Sequence, residues 1–428
     1  MKCQKQKFIL TGKKTYLNCA YMSPMLKKVE KAGIRGIHLQ RKPEKIMPEH
    51  FFNNIKEIKG SFSKLINCKN PDRIAYVPAA SYGLANVTNN IELKKGENIV
   101  VVGDQFPSNV YPWMNLTKKY QGDLNFVLKD NTSNNPGRKW NEDILKAINK
   151  KTKVVSMGIV HWADGTIFDM KKIRKKTKDN NALLIIDGTQ SIGSMPFDLD
   201  EIQPDALVCA GYKWLMGPYG SGLAYYGKYF DQGKPIEESW INRKGSDDFS
   251  NLINYQEEYA KYAKRYSVGQ QSNFINVEML NEGIKQLNTW GINNVYDYIK
   301  SISTKYFDML DKSKVWYEED EYRGGHLFGL RPKKNLKKIL RKIKEKNIYI
   351  SLRGDIIRVS PSVYNTERDI LYVLVQDVAI DTGKTWYKVV LFNIRSQKFV
   401  GTISKSNTLR CRFDSIAIDG TTAVATVY

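Results

Sequence analysis

Long apolar runs are missing from this chain. Nowhere do about 18 apolar residues follow one another, so no membrane span is indicated. Cysteine is scarce and scattered. Cys3, Cys19, Cys68, Cys209 and Cys411 make an odd set without a CxxC pair, which argues against a disulfide framework and against a zinc site. Histidine is scarcer still, and His38, His50, His161 and His326 show no HExxH-type spacing. The opening stretch, MKCQKQKFILTGKK, is basic, but its apolar part is only Phe8-Ile9-Leu10, too short for a secretory signal. A reduced, cytoplasmic protein is the simplest expectation. Acidic residues are also short: 44 Asp and Glu stand against 67 Lys and Arg, a net charge of +23. Such a balance fits nucleic acid or an acidic partner. The lysines, however, spread along the whole chain, and runs such as Lys171-Lys172-Ile173-Arg174-Lys175-Lys176 read as exposed helix faces. Nucleic-acid binding is therefore not the expected main function, although the charge favours anionic substrates.

What is present is a large globular chain. Its 428 residues, 42% of them apolar, are enough for two or three domains of roughly 150 residues. Strand and helix signals alternate between residues 74 and 226. Ile74–Val77, Asn98–Val102, Val154–Val160, Leu183–Ile186, Ala206–Cys209 and Leu223–Tyr226 read as strands. Helices are expected near Ser81, over Glu142–Asn149 and over Met170–Lys178. This alternation predicts an α/β sheet with helices on both faces, and ligands in such sheets sit beyond the carboxyl ends of the strands. A helix is expected from Phe274 to the stop at Gly291, with Val277, Leu280, Ile284 and Leu287 on one face. A smaller α+β domain follows: Gly325–Leu330, a basic helix Lys333–Lys346, strands Ile348–Leu352 and Ile356–Ser360, and a helix from Thr366 with Asp369 in capping-box spacing. Beyond Thr385 the pattern changes to strands at Trp386–Phe392, Lys398–Ser404, Leu409–Ile418 and Thr421–Val427, with a hairpin turn at Asp419-Gly420. The expected organisation is an N-terminal segment 1–20, a large domain 21–275, a small domain 276–378 and a β-rich appendage 379–428. Gly383-Lys384-Thr385 is not a phosphate loop, because Val378 stands where the first glycine would be needed.

The chemistry centres on one lysine. Lys213 lies in DALVCAGYKWLMGPYGSG, and Asp187 ends the apolar run LLIID, with Gln190 three residues on. A pyridoxal 5'-phosphate (PLP) enzyme needs such a set: an amine to form a Schiff base with the cofactor, and a carboxylate to keep the pyridine nitrogen protonated. Either residue alone reads as a surface charge or a helix cap. Three further stretches strengthen the pair: Asp104-Gln105-Phe106-Pro107-Ser108-Asn109, VGQQSN at 268–273 and IRVSPSVYNT at 357–366. Together they resemble the class V aminotransferase family, which includes cysteine desulfurases, kynureninases and isopenicillin N epimerase-like enzymes. The resemblance runs from about Tyr16 to about Val378 and is most specific at Asp187–Gly222.

That resemblance implies PLP-transferase fold type I, with a mostly parallel seven-stranded sheet, and a homodimer sharing its active sites. It implies that Lys213 carries the cofactor and works as acid and base at the substrate Cα, that Asp187 pairs with the pyridinium, and that Gln190 bonds the ring hydroxyl. Phe106 takes the place of the aromatic ring over the cofactor, where desulfurases have His. Ala80 and Ser81 fall at the phosphate turn, and Tyr212 could donate its phenol. Ser272 matches a segment given by the neighbouring subunit. Arg358 matches the arginine that binds the substrate carboxylate. Asn18 and His161 are weaker substrate-pocket candidates, and Trp162 is expected to pack near the pocket. Gly217, Gly220 and Gly222 are expected to let the backbone turn after the lysine. Two departures stand out: Ala80 and Ala210 replace residues that are hydroxylated in the family. They leave open a second reading, a catalytically silent basic binding or scaffold protein on the same fold. Desulfurases also attack with a cysteine shortly before the carboxylate-binding arginine. The stretch Ser351–Ile357 has none. Persulfide-forming desulfuration is therefore not expected, whereas transamination, epimerisation, lyase-type elimination and hydrolysis all remain.

Overall fold

The computed structural model describes residues 1–12, 14–305, 307–371, 388–393, 398–404, 416–419 and 422–425. Its centre is a seven-stranded sheet. In chain order the strands are β1 (Ile74–Val77), β2 (Asn98–Val102), β3 (Asp123–Val127), β4 (Thr152–Gly158), β5 (Leu183–Asp187), β6 (Ala206–Ala210) and β7 (Gly222–Tyr226). They lie side by side as β1-β7-β6-β5-β4-β2-β3. β7 runs antiparallel to both β1 and β6, and the other neighbours pair in parallel. The runs IAYV, LLII and ALVCA are continuously apolar because both faces of this sheet are covered. β3, DLNFV, is mostly exposed at the edge, and its polar composition hides it from pattern reading.

Two large cores flank the sheet. One holds Ile186, Leu207 and Trp214 with the helices Lys27–Gln40, His50–Ile66 and Asn276–Trp290. The other holds Val208, Ala224 and Leu84, the last from the helix Ala80–Asn89. The helix Lys27–Gln40 carries two glycines that weaken a helical signal. They are there for contact: a Cβ on Gly36 would meet the Phe274 carbonyl oxygen at 2.4 Å.

The smaller layer is a four-stranded sheet. Its strands are β8 (Val315–Trp316), β9 (Phe328–Pro332), β10 (Ser351–Arg353) and β11 (Ile356–Val359), ordered β10-β11-β9-β8. The basic helix is Leu336–Glu345, and the last described helix is Glu367–Leu371. The Asp369 carboxylate accepts from the Thr366 amide at 2.8 Å and from its hydroxyl at 3.1 Å. The N-terminal segment joins this layer, since Thr15–Tyr16 pairs in parallel with Ile348–Tyr349.

A buried ionic knot ties the two layers. The Lys129 Nζ lies 2.8 Å from Asp164 Oδ2 and 2.7 Å from Glu318 Oε2, and it donates to Thr166 Oγ1 at 2.7 Å. Burial works to raise the Asp164 carboxyl, but His161 and Lys129 outweigh it and hold the group well below the usual carboxylate range. Residues 1–378 form one compact unit, and residues 379–428 form another. In the second unit two hairpins are described, β12 (Lys388–Asn393) with β13 (Lys398–Ser404), and β14 (Ile416–Asp419) with β15 (Thr422–Ala425). The expected turn residue Gly420, Cys411, Val378, Gly383-Lys384-Thr385 and the strand portions at 386–387, 409–415, 421 and 426–427 lie outside the described residues. Among the described residues no helix is long and apolar enough to cross a membrane.

Candidate active site

A pocket of about 200 Å³ opens at the carboxyl ends of β1, β4, β5 and β6. Each end contributes its next residues: Ala79-Ala80-Ser81 after β1, Val160 and Trp162 after β4, Asp187, Thr189 and Gln190 at β5, and Tyr212-Lys213 after β6.

Lys213 sits on a tight loop. The Gly217 amide donates back to the Gly211 carbonyl at 2.9 Å, and the Gly211 amide to Ser221 at 2.8 Å. Of the three glycines read as turn residues, only Gly220 has a left-handed φ, +81°. Gly217 and Gly222 are small for a different reason: a Cβ there would meet Leu280 Cδ1 at 2.4 Å or the Cys209 carbonyl oxygen at 2.5 Å. The loop holds Lys213 at 6% exposure, with Nζ 5.6 Å from the Phe106 ring centre and 5.5 Å from that of Tyr212. Burial pushes its amine down to about 8; Asp187 opposes this, while Arg358 and Arg353 reinforce it.

Asp187 closes β5 and accepts the Thr189 amide at 3.0 Å. Burial raises its carboxyl above the usual range, against the bonds from Thr189 and the charge of Lys213. Gln190 is held at both ends of its amide. Nε2 donates to the Ala20 carbonyl and Oε1 accepts from Trp214 Nε1, each at 3.1 Å. An amide nitrogen carries two protons, so one N–H stays available to the pocket.

The helix Ala80–Asn89 begins on the pocket wall. Its N-cap is Ala79, whose side chain cannot cap, so the first amides, on Ala80 and Ser81, are left for a ligand. Phosphate at a helix start is favoured by those amides and by the helix dipole. The loss of a hydroxyl at Ala80 therefore leaves the backbone part of an anion cradle intact. The donor set fits PLP: anion-binding amides, an enclosed carboxylate, an aromatic ring and a depressed lysine amine all border one pocket. Phe106 is not a core residue; it is 37% exposed and meets Trp162 edge-on at 5.3 Å.

Arg358, on β11, does not line this pocket itself but reaches it through Trp162, which does; at 1% exposure it is no solvent-facing strand residue. Nη1 donates to the Trp162 carbonyl at 2.9 Å and Nη2 to Ser351 Oγ at 3.3 Å, while Nε is buried without a partner. Asn18 does not line the pocket; its Oδ1 accepts from Ser351 Oγ at 2.6 Å, one bond behind Arg358. His161 does not line it either. Nδ1 faces Asp164 Oδ1 at 3.0 Å, Nε2 faces the Asp104 carbonyl at 3.2 Å, and the Trp140 ring packs on it. It shapes the 161–166 turn that presents Trp162. Ser272 is buried outside the pocket of its own chain, and the helix cap beside it is Asn273, which accepts from the Ile275 and Asn276 amides. Thr189 escaped sequence reasoning; its hydroxyl accepts the Ala210 amide at 3.1 Å and so joins the ends of β5 and β6.

Comparison with known proteins gives the family and the fold. The family model described as aminotransferase class-V matches residues 40–373. An uncharacterized aminotransferase, YcbU, of Bacillus subtilis (strain 168) is 25% identical over 326 residues, 74% of this chain and 81% of that protein. A cysteine desulfurase of Wigglesworthia glossinidia brevipalpis is 31% identical over 198 residues, 45% of each chain. Among solved structures, the complex of the cystine C-S lyase C-DES with its product cysteine persulfide superposes with a TM-score of 0.75 at 18% identity, covering 85% of this chain and 97% of that one. The apo cysteine desulfurase of Thermococcus onnurineus NA1 gives a TM-score of 0.74 at 20% identity, covering 87% and 97%. At such identities the structures speak for the fold, which is PLP-transferase fold type I.

Proposed function

The chain belongs to the class-V aminotransferase family of PLP-dependent enzymes, and from that premise we propose that it acts on an α-amino acid in a transaminase, epimerase or lyase type of reaction. The observation that carries this reading is the enclosure of Lys213 and Asp187 in one pocket, with the lysine amine pushed down to about 8. PLP supplies an aldehyde that captures amines and a protonated ring that draws electrons from the substrate Cα. Asp187 would keep that ring protonated. The amides of Ala80 and Ser81 would hold the phosphate, Gln190 would offer its remaining N–H to the ring hydroxyl, and Phe106 would supply an aromatic wall. Tyr212, Asp187 and Lys213 line the same pocket. Lys213 would anchor the cofactor and could move a proton at the substrate Cα, a task suited to an amine poised near neutrality. Arg358 receives the substrate carboxylate, held in place by Trp162, Ser351 and, one bond further, Asn18.

A desulfurase route through a persulfide on an enzyme cysteine of the β10–β11 hairpin does not fit, whereas lyase-type elimination stays open. β10, β11 and the turn between them contain no cysteine. Cys19, whose charge Lys213 would feel, is fully enclosed and pushed up to about 12 by burial, so it is no thiolate at neutral pH. The silent-scaffold alternative loses its ground, because the backbone cradle does not need the hydroxyls missing at Ala80 and Ala210.

The test is reconstitution with PLP, borohydride reduction and peptide mapping. The label is expected on Lys213; a label spread over many lysines, or none, would overturn the reading. Linkage needs the neutral amine. Its rate should climb about tenfold per pH unit below about 8 and level off above. A rate that goes on climbing about tenfold per unit beyond pH 9 would contradict the depressed amine.

We also propose a homodimer and a reducing, cytoplasmic setting, with large and small domains at 21–275 and 276–378. Tyr219 at the pocket rim is 72% exposed, and Ile253 and Tyr255 are bare as well, which suits burial against a second copy. Across such an interface Ser272 would reach the neighbour's phosphate site. Light scattering should return twice the chain mass at micromolar concentration; a monomer would remove Ser272 from the site.

A further inference from the structure

Arg358 accounts for one substrate carboxylate, yet a second guanidinium stands beside it. In the β10–β11 hairpin Ser351 pairs with Arg358 and Arg353 pairs with Ile356. Alternate residues of a strand share a face, so Ser351 and Arg353 project on the same side as Arg358. The two arginines also share one aromatic wall. The Arg353 guanidinium carbon is 5.3 Å from the Trp162 ring centre and that of Arg358 is 6.0 Å from it. Trp162 in turn lines the pocket of Lys213.

Neither guanidinium is neutralised. Arg353 donates from Nη1 to the carbonyl of its neighbour Leu352 at 2.8 Å, and its Nε is buried with no partner. The carboxylate of the hairpin turn, Asp355, is taken by Arg331 at 3.0 Å. Among the described residues, Arg353 and Arg358 have no carboxylate partner. Two partly desolvated like charges without a counter-ion are costly unless a ligand completes them. Burial, and for Arg358 the nearby Arg353, accordingly lower both groups from their ordinary values.

We propose that the pocket is built for an α-amino acid whose side chain carries a second anionic group, and that Arg353 is the residue that selects it. The proposal rests on the reading of this site as an amino-acid pocket. Arg358 takes the α-carboxylate and Arg353 the distal anion, with the Trp162 face behind both. A planar guanidinium suits a carboxylate, sulfinate or phosphate equally, so the side-chain anion is defined by charge rather than by identity.

Calorimetry on the PLP-loaded protein with succinate and butyrate tests this without turnover. Succinate should bind about tenfold tighter or more. Arg353→Met should lower succinate to the level of butyrate and leave butyrate within about twofold, while Arg353→Lys should keep part of the preference. Arg353 is half-exposed at a strand end, so both variants should melt as the parent does. Equal affinity for the two acids in the parent, or a preference that survives Arg353→Met, overturns the proposal. The outcomes separate from those of the function reading. If PLP fails to label Lys213 but succinate is still preferred, the enzyme reading falls and the selectivity stands. If Lys213 is labelled and L-asparagine perturbs the cofactor spectrum as strongly as L-aspartate, the selectivity falls alone.

Discussion

Lys213→Ala will leave a folded protein that no longer forms a borohydride-stable linkage with PLP and turns over at least about 10³-fold more slowly than the parent. The factor follows from the loss of a positioned acid–base group, worth about 10²–10⁴, combined with loss of the covalent anchor. The fold should survive because Lys213 buries an amine that is easily neutralised. Truncation removes a desolvated group and leaves the loop bonds of Gly211 and Gly217 in place. PLP should still bind non-covalently through the amides of Ala80 and Ser81 and the Asp187 carboxylate. The check is single-turnover kinetics with the best substrate, beside a spectrum free of the reducible band. Parent-like turnover in this variant would remove Lys213 from the chemistry.

Arg358→Met is expected to separate binding from stability. The guanidinium is fully enclosed, has an orphan Nε, and is pushed down to about 9 by burial and by Arg353. Replacing such a charge with an apolar side chain of similar volume is often neutral or stabilising. Against that gain, the Trp162 carbonyl and the Ser351 hydroxyl lose a donor, at about 1 kcal/mol each. The unliganded protein should therefore stay within about 1 kcal/mol of the parent. Substrate affinity should fall about 10²-fold, since removing one partner of a buried charge pair costs about 2–5 kcal/mol. Thermal melts with and without amino acid decide it: the parent shows a ligand-induced rise in Tm and the variant does not. An unchanged affinity would end the carboxylate role.

The part of the site that could be read from the sequence is the part that is local in it. Asp187 and Lys213 each follow an uninterrupted apolar strand, and a parallel sheet puts such strand ends on one rim. Arg358 was legible only through resemblance, because β11 by itself gives no sign of what its arginine faces. The knot at Lys129 was invisible, since its partners Asp164 and Glu318 come from different layers. His161 was misread for the same reason: its neighbours at Asp104 and Trp140 are brought in by the fold, and they turn a pocket candidate into a strut. The helix Lys27–Gln40 was missed because its glycines serve a contact with Phe274 that no propensity scale sees.

The Lys129 knot also bears on how substrate gets in. Swinging the smaller layer away from the sheet about a hinge would draw Glu318 off Lys129. The charges left behind would then lie in a poor dielectric, at a cost of about 3–5 kcal/mol. That edge of the cleft is clamped. The give lies at the mouth, where Phe106 is 37% exposed and rests edge-on against Trp162. Rotamer changes of exposed side chains take picoseconds to nanoseconds, whereas domain hinges take microseconds to milliseconds. Trp162 is tied by its indole N–H to the Asp104 carbonyl at 2.7 Å, so the Phe106 ring is the part of the mouth that can turn without breaking a polar contact.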